Sequence, residues 1–376
     1  MLINRLLWLK VHRWSGLLLG FLFVIAGLSG SALTFREPLD RWLNTPSTLM
    51  ESSTRLSPSE LIAHVEQALP AYWAERLRLD YKPGSLVLVR VIPKDTNIKP
   101  TVDEVWVTTS TGQVVSRRLS SDFKLDKQHL VPLIFRLHYS LFLESVGQVC
   151  LGILSLIWVF SIFAGVRLAW PKRNYLKAFT IKLSASRIRV LFDIHRALGL
   201  VTAPILLIIC LTGIYLTTTS WVLPIIQAFS ATTLWPPSFT SSPKSLIQAQ
   251  SPETSIQIAK KLFPDGTPIR LVIDPLCSFH RVDLLRPSDA GETPETVVFV
   301  DMYAGTVMSQ VSVEKYTTGD KFIAWIYPLH TGEFLHIQGR ILWLFIGLSP
   351  LVLMVSGVLL YLRKRFPFLT TTKANS

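Results

Sequence analysis

One apolar stretch occurs twice in this sequence, and each copy opens with a histidine and an arginine. The first copy is HRWSGLLLGFLFVIAGLSG at residues 12–30, and the second is HRALGLVTAPILLIICLTG at residues 195–213. Both copies place one glycine four residues after the histidine and another eighteen residues after it. Because a helix of about 20 apolar residues spans the hydrocarbon core of a bilayer, the repeat predicts two matching membrane helices.

Two further apolar segments complete a set of four. The segments are residues 14–35, 147–166, 198–219 and 341–362. None of them contains a charged residue, and the whole chain is 49% hydrophobic and 17% charged. The Gly, Ser and Thr residues and Pro204 within them are tolerated in membrane helices. The predicted fold class is therefore a membrane protein with an α-helical four-helix transmembrane bundle.

Three clusters of basic residues lie at the ends of the segments, all on the same side of the predicted topology. They cluster before the first segment (Arg5, Lys10, Arg13), between the second and third (Arg167, Lys172, Arg173, Lys177, Lys182, Arg187, Arg189) and after the fourth (Arg363, Lys364, Arg365). The positive-inside rule assigns this side to the cytoplasm, so both termini are predicted there. Much of the net charge of +13 lies at these membrane edges, so it indicates contact with membrane lipid and no nucleic-acid partner.

This topology divides the chain into eight parts. They are a cytoplasmic start with the first span (residues 1–35), an outer domain (36–137), the second span (138–170), a basic cytoplasmic link (171–194), the third span (195–219), a second outer domain (220–329), the fourth span (330–362) and a cytoplasmic tail (363–376). The first apolar segment is longer than a signal-peptide core and no clear Ala-x-Ala site follows it, so it is predicted to remain uncleaved.

The two outer segments share a pattern of one helix followed by strands. A Ser-Pro dipeptide begins an amphipathic stretch and a proline ends it, at residues 57–70 and again at 251–264. Alternating residues then predict short antiparallel strands at 85–92, 104–108 and 113–118, and at 270–273, 281–285, 296–301 and 306–311. The predicted chain is a span, a small α+β domain and a span, repeated once as an internal parallel duplication.

The repeat also places two pairs of histidines at matching positions. His12 and His195 open the first and third spans, and His138 and His330 each stand nine residues before a glycine that begins or precedes the next span. A parallel repeat puts the first pair at one depth near the cytoplasm and the second pair at another depth near the outside. Two imidazoles on one iron form a low-spin haem site suited to electron transfer. The four histidines are therefore predicted to hold two b-type haems, with border histidines of the membrane interface as the plainer alternative.

Residues near the histidines extend this prediction. Arg13 and Arg196 follow the inner pair directly and are expected to meet haem propionates. The outer pair precedes the apolar cores by roughly ten residues, on the order of 15 Å if the helix continues, which puts the outer site at the membrane surface or slightly above it. His336 competes with His330 as a ligand, although Glu144 occupies the corresponding position in the first half.

The other candidate residues carry less information. Three histidines have no repeat partner and are expected at the surface or on the substrate side: His64, His129 and His280. Aromatic residues in the spans are expected mostly to pack or to face lipid, with a route between haems as the alternative: Phe21, Phe23, Trp158, Phe160, Trp343 and Phe345. No Gly-rich phosphate loop follows a strand, so electrons are expected to come from a separate, unidentified cytoplasmic donor.

These residues resemble those of the PepSY-associated transmembrane family, iron-regulated proteins of the bacterial inner membrane. The resemblance covers nearly the whole chain. It depends on His-Arg-Trp-Ser-Gly at 12–16, His-Arg-x-x-Gly at 195–199, Leu-His at 137–138, Leu-His-Thr-Gly at 329–332 and the two PepSY-like domains. It implies a fold of four helices with two periplasmic PepSY domains. Some members are dihaem reductases of ferric siderophores, which implies the same haem ligands here.

The combined expectation is an inner-membrane oxidoreductase that reduces a periplasmic ferric siderophore or ferric chelate. Two other classes stay open. A non-enzymatic PepSY regulator that binds a protease or peptide predicts no cofactor. A transport component for a metal or siderophore predicts ionisable residues or broken helices near the midplane.

Overall fold

The computed structural model describes residues 2–46, 52–171, 175–233 and 249–365. Residues 172–174 of the predicted basic link and residues 366–376 of the predicted tail lie outside this part of the chain. The chain forms two compact units. The helical unit comprises Met1–Phe35, Ile134–Ile225 and Leu329–Ser376, and the sheet unit comprises Arg36–Leu133 and Ile226–Pro328.

The described elements follow a helix-and-strand order that repeats along the chain. The helices are α1 (Leu2–Leu33), α2 (Arg36–Asn44), α3 (Pro58–Ala68), α4 (Leu130–Ser140), α5 (Glu144–Ala169), α6 (Arg187–Thr217), α7 (Thr219–Phe229), α8 (Pro252–Leu262), α9 (Thr318–Thr331) and α10 (His336–Arg365). The strands are β1 (Tyr72–Arg78), β2 (Leu86–Pro93), β3 (Glu104–Thr108), β4 (Val114–Arg118), β5 (Thr267–Asp274), β6 (Phe279–Leu285), β7 (Thr296–Asp301) and β8 (Val307–Val311).

Four helices of the helical unit are long and apolar enough to cross a membrane. They are Arg5–Leu33, Glu144–Ala169, Arg187–Thr217 and Glu333–Arg365, and they contain nearly all of the four predicted segments. Helix α1 contacts α5 and α10, and α6 contacts the same two helices. The four-span prediction is confirmed, and the chain is a multi-pass membrane protein with its long helices in one bundle.

Small residues allow α1 and α10 to approach closely. A Cβ atom at Gly27 would overlap the backbone carbonyl oxygen of Gly347, and one at Gly347 would overlap the hydroxyl of Ser31. The Ser31 hydroxyl donates to the carbonyl oxygen of Leu344 at 2.9 Å. Lipid tails are as apolar as the side chains of membrane helices, so the hydrophobic effect does not drive these helices together. Close backbone packing and interhelical hydrogen bonds stabilise the contact instead.

The two short helices that carry the outer histidines do not continue into the spans that follow them. Between α4 and α5, Leu141, Phe142 and Glu144 have φ values of 51°, 61° and 51°, a left-handed conformation uncommon outside glycine. Between α9 and α10, Gly332 and His336 have φ values of 81° and 51°. The continuous helix considered in the sequence analysis is therefore absent at both places.

Glycines at the start of α5 and α10 let each turn pack against the span. A Cβ atom at Gly147 would overlap the carbonyl oxygen of Ser140, and one at Gly339 would overlap the carbonyl oxygen of Gly332. These are the glycines that stand nine residues after His138 and His330. Their role in the structure is to let the last turn of a short helix lie directly on the span.

The sheet unit contains one antiparallel sheet in the order β4-β3-β2-β1-β5-β6-β7-β8. Its two halves join where β1 pairs with β5. The outer segments, treated as two small domains in the sequence analysis, thus share a single sheet. The sequence analysis missed β1, because a bulge between Ala74 and Arg76 interrupts the alternation of polar and apolar residues on which strand prediction depends.

Two helices cover one face of this sheet. Helix α3 contacts β1 and β4, α8 contacts β5 and β6, and the helices also contact each other. The core beneath them is fully buried and apolar; among its members are Leu61, Val65, Leu77, Val89, Leu271 and Val282. Ser57 and Glu60 form a capping box at the start of α3. Gly112 and Gly305, in the turns before β4 and β8, have φ values of 71° and 68°.

Substitution of Gly147 by alanine is expected to destabilise the helical unit. The new methyl group has to displace the backbone at Ser140, and overpacking of this kind costs about 1–3 kcal/mol. Thermal unfolding of the purified protein in detergent measures the change. Gly20→Ala is the matched control, because a Cβ atom there meets only the Met354 side chain at 3.6 Å. Equal melting temperatures for the two variants would show that the backbone contact is not as close as described.

Candidate functional site

The bundle brings the four predicted histidines together as two pairs. The ring centres of His12 and His195 are 6.0 Å apart, with 75° between the ring planes. The ring centres of His138 and His330 are 6.1 Å apart, with 51° between the planes. Each pair joins one histidine from the first half of the chain to its counterpart in the second half.

Every ring of the two pairs rests on a glycine of a neighbouring helix. A Cβ atom at Gly165 or Gly30 would lie 2.9 Å from Cε1 of His12 or His138, respectively. The corresponding distances are 3.3 Å from Gly357 to His195 and from Gly213 to His330. Any larger residue would push the ring away, because contacts below 3.4 Å are tighter than ordinary van der Waals contact. Gly30 and Gly213 stood out in the sequence, whereas Gly165 and Gly357 were missed.

The backbone of the same neighbouring helix binds the Nδ1 atom of the rings in the first half. His12 Nδ1 lies 3.0 Å from the carbonyl oxygen of Ser161, four residues before Gly165. His138 Nδ1 lies 3.1 Å from the carbonyl oxygen of Ala26, four residues before Gly30. A helical carbonyl keeps a second lone pair for such a donor, so the glycine and the carbonyl one turn before it form a single cradle for the ring.

Hydroxyl groups bind Nδ1 of the rings in the second half. His195 Nδ1 lies 2.9 Å from Ser356 Oγ, and His330 Nδ1 lies 3.0 Å from Thr212 Oγ1. The Ser356 and Thr212 hydroxyls each donate their own hydrogen to a helix carbonyl, at 2.6 and 2.7 Å. A hydroxyl has one proton to give, so here it accepts from the ring, and Nδ1 carries the proton.

Ser29 extends this pattern to His138. Its hydroxyl donates to the carbonyl oxygen of Ile25 at 2.6 Å and lies 3.1 Å from His138 Nδ1. Three of the four glycines under a ring are therefore preceded by a hydroxyl residue, and Gly165 follows Ala164 instead. A Ser-Gly or Thr-Gly dipeptide in a span was the sequence signal for these residues, and it was noticed only at 29–30 and 212–213.

Protonation at Nδ1 leaves Nε2 with an unshared electron pair. Among the described residues, no hydrogen bond to Nε2 of the four paired histidines is found. The orientation is that of metal-ligating histidines, whose other nitrogen donates to a carbonyl or a similar acceptor. Each pair thus presents two imidazoles with their tautomers set for binding a metal.

The separation within each pair fits two axial ligands of one haem iron. A metal–nitrogen bond of about 2 Å on each side, together with the ring radii, puts two axial imidazole centres roughly 6 Å apart. Two histidines alone are a small ligand set, and the described residues contain no group of three or more His, Cys, Asp or Glu side chains able to hold a metal ion. A porphyrin supplies the other four ligands itself.

The outer pair lies within the helix bundle at the level of the last turns of two spans. His138 contacts α1 at Ala26–Gly30, and α1 crosses the membrane as Arg5–Leu33. His330 contacts α6 at Thr212 and Gly213, near the end of the span Arg187–Thr217. The continuous helix assumed for this pair is absent, because the backbone turns between each short helix and the span that follows it. A position at the membrane surface or slightly above it stays a prediction.

An aromatic stack fills the bundle between the two pairs. Phe23 and Trp158 stack with ring centres 4.5 Å apart, and Trp158 packs in a cluster with Val159 and Cys210. On α1, Phe23 stands between His12 and the contact of His138 at Ala26, and these two levels are roughly 20 Å apart along the helix. Of the aromatic residues considered in the sequence analysis, Trp158 and Trp343 are buried, whereas Phe21, Phe160 and Phe345 are exposed on the bundle.

The arginines beside the inner pair differ in their surroundings. Arg196 donates to the carbonyl oxygens of Lys177, Ala178 and Thr180 at 3.0, 3.0 and 3.1 Å and forms an ion pair with buried Asp193. It therefore holds the link before α6 against the bundle. The guanidinium of Arg13 lies over the ring of Tyr361 with 5.9 Å to its centre.

The remaining histidines take no part in the pairs. His336 is exposed at the start of α10, while His330 faces His138. His64 is exposed, as expected. His129 and His280 are buried in the sheet unit and bind Asp126 and Ser255 at 2.8 Å through Nδ1, so the expectation of a surface position is wrong for these two. Burial lowers the pKa of His280 to about 4.

Substitution of Arg196 by alanine is expected to loosen the link before α6. The change removes three hydrogen bonds to the link backbone, so trypsin should cleave after Lys177 and Lys182 several times faster than in the unchanged protein. Arg189→Ala is the control, because Arg189 is half exposed and its contacts among the described residues are with Asp193 and the ring of Phe192. Equal cleavage rates for both variants would contradict the described role of Arg196.

Comparison with known proteins identifies the family. The family model of the PepSY-associated TM region matches residues 9–364 of the 376. No curated protein matches the sequence. The matched range includes all four spans, the sheet unit and both histidine pairs. The chain belongs to the PepSY-associated transmembrane family.

Proposed function

We propose that the protein binds two b-type haems and carries electrons from a cytoplasmic donor to a ferric siderophore or another ferric chelate on the other side of the membrane. The observation that carries the proposal is the separation of 6.0 and 6.1 Å within the two histidine pairs. Haem iron bound between two imidazoles supplies reversible one-electron chemistry.

The residues of the chain account for binding and orientation. His12 and His195 are the proposed ligands at one level, and His138 and His330 are those at the other. The glycines beneath the rings and the acceptors at Nδ1 limit each ring to one position and keep its proton away from Nε2. Such outer partners raise the basicity of a ligating histidine and orient it, which supports the proposed roles of the four histidines.

The packing between the pairs supports transfer along the bundle. Phe23 and Trp158 occupy the space between the two levels with apolar and aromatic atoms. Apolar surroundings exclude water from the interior and tune the redox potential of a nearby iron. No acid, base or nucleophile is required of the protein, because the substrate gains only an electron.

The reaction proposed for the substrate is the reduction of iron(III) to iron(II). Hard oxygen donors of a siderophore bind iron(III) far more tightly than iron(II), so one electron weakens the complex and releases the metal while the chelator stays intact. The electron comes from a one-electron donor in the cytoplasm, and the acceptor is the bound ferric chelate.

The topology and origin of the chain are part of the proposal. The basic clusters at the ends of the spans favour a bacterial inner membrane with both termini in the cytoplasm and the sheet unit in the periplasm. The mirrored order of the strands about β1 and β5 and the matching of each histidine with its partner support a duplication. A regulator that merely anchors a PepSY domain needs no paired imidazoles, so a haem-free protein would favour that function.

Haem content is the direct test. The protein purified in mild detergent should contain about two haems per chain and show the sharp reduced bands of low-spin b-type haem. His12→Ala and His138→Ala should each lower the content to about one, because each removes one axial ligand of a different pair. His64→Ala is the control and should keep both, since His64 is exposed in the sheet unit. A colourless protein after expression with ample haem would refute the proposal.

The glycines beneath the rings provide a finer test. Gly30→Ala places a methyl group 2.9 Å from Cε1 of His138, whereas Gly213→Ala places one 3.3 Å from Cε1 of His330. The first variant should disturb the outer site more, seen as lower haem content or a larger change in midpoint potential in a spectroscopic redox titration. The same loss in both variants would contradict this order, and no loss in either would mean that the ring position does not depend on this contact.

A further inference from the structure

Four arginines lie together on the face of the sheet that α3 and α8 do not cover. They are Arg76 on β1, Arg90 on β2, Arg270 on β5 and Arg281 on β6. Their neighbours along these strands, among them Leu77, Val89, Leu271 and Val282, belong to the core beneath the helices. Successive side chains of a strand point to opposite faces, so the arginines form one cluster on the face opposite this core, here called the arginine face. Helix α2 also reaches this face, where its Glu37 pairs with Arg78.

The sheet register brings like charges next to each other. Arg76 is directly opposite Arg90 in the pairing of β1 with β2. On its other side it is opposite Val272, which is in turn opposite Arg281. Like charges directly opposite each other destabilise a sheet. An arrangement that weakens the fold in the central strands indicates a use for the charges.

The carboxylates nearby neutralise only part of this cluster. Glu75 pairs with Arg90 at 3.3 Å. Asp283 pairs with Arg270 at 3.0 Å and with Arg281 at 2.6 Å. Glu104 lies opposite Arg90 on β3 and pairs with Arg118. Among the described residues Arg76 is the member of the cluster for which no ion pair is found. The adjacent Arg78 is already held by Glu37 and Asp80.

Arg76 is the member whose binding capacity is least used. Its Nε atom is buried, and within the described part of the chain it has no hydrogen-bond partner. Burial lowers the pKa of Arg76, and the negative charge of Glu75 raises it in part. The positive charges of Arg90, Arg270 and Arg281 lower the pKa of Arg76 further. A buried polar atom without a partner weakens the fold, and an anion that accepts its N–H would remove that penalty.

We propose that the arginine face binds the substrate of the proposed reductase as an anionic ferric chelate that presents carboxylate groups. Guanidinium groups bind carboxylates through two parallel N–H···O bonds, and the positive charge of Arg76, for which the described residues supply no ion pair, favours a complex with net negative charge over a neutral one. The inference rests on the proposed function for its ferric substrate, while the binding itself requires no haem.

Binding of gallium(III) citrate to the full-length protein in detergent tests this inference. Gallium(III) takes the place of iron(III) without undergoing reduction, so calorimetry measures binding alone. We expect Arg76→Gln to weaken binding about tenfold, as for loss of a hydrogen bond to a charged group, and higher ionic strength to weaken it further. Arg117→Gln is the matched control, because it removes the same charge from exposed β4 outside the cluster.

Several results would overturn the assignment. One is the same loss of gallium citrate binding in the Arg76 and Arg117 variants, and another is equally tight binding of citrate without a metal. The other two are binding of a neutral gallium trihydroxamate in place of gallium citrate, and binding of anionic lipid vesicles but not of gallium citrate. Haem content measured on the same sample separates this inference from the proposed function. A haem-free protein that binds gallium citrate through Arg76 would refute the reductase alone, and a dihaem protein that does not bind it would refute the arginine face alone.

Discussion

The position of each paired imidazole depends on one repeated contact, in which the ring lies on a helix glycine and its Nδ1 atom meets an acceptor of the same helix. The contact needs both parts. Without the glycine the ring could not approach, and without the acceptor the nitrogen would be buried unpaired inside an apolar bundle, which is expensive. Because both parts lie on a helix other than the one that bears the histidine, each ring also connects two helices.

The outer pair depends on a second constraint, the reversal of the chain between a short helix and the span that follows. Three residues in left-handed conformation between α4 and α5 store strain of about 1–3 kcal/mol each. Strain of this size persists only when packing compensates it, and the contacts of Gly147 with Ser140 and of His138 with α1 provide such packing. The second half reaches a similar arrangement with Gly332 at the turn, so the two halves use different residues for one geometry.

The two faces of the sheet unit differ in their residues. One face is an apolar core under α3 and α8, and it accounts for stability. The other face carries like charges in direct register and a buried arginine nitrogen that has no hydrogen-bond partner among the described residues. Packing does not explain these features. Joining the two halves through β1 and β5 creates this face, because Arg76 comes from one half while Arg270 and Arg281 come from the other.

The sequence by itself determined the four spans, the helix-and-hairpin order of the outer segments and the identity of the four histidines, because hydrophobic length, strand alternation and repeat spacing are local properties of the chain. Only the tertiary structure decided that His138 and His330 lie within the bundle, since left-handed backbone at Leu141 and Phe142 leaves no mark in composition. It also decided that the outer segments share one sheet, that Arg196 binds the link, and that Gly165 and Gly357 support histidines. Each of these depends on contacts between residues far apart in sequence, which periodicity does not record.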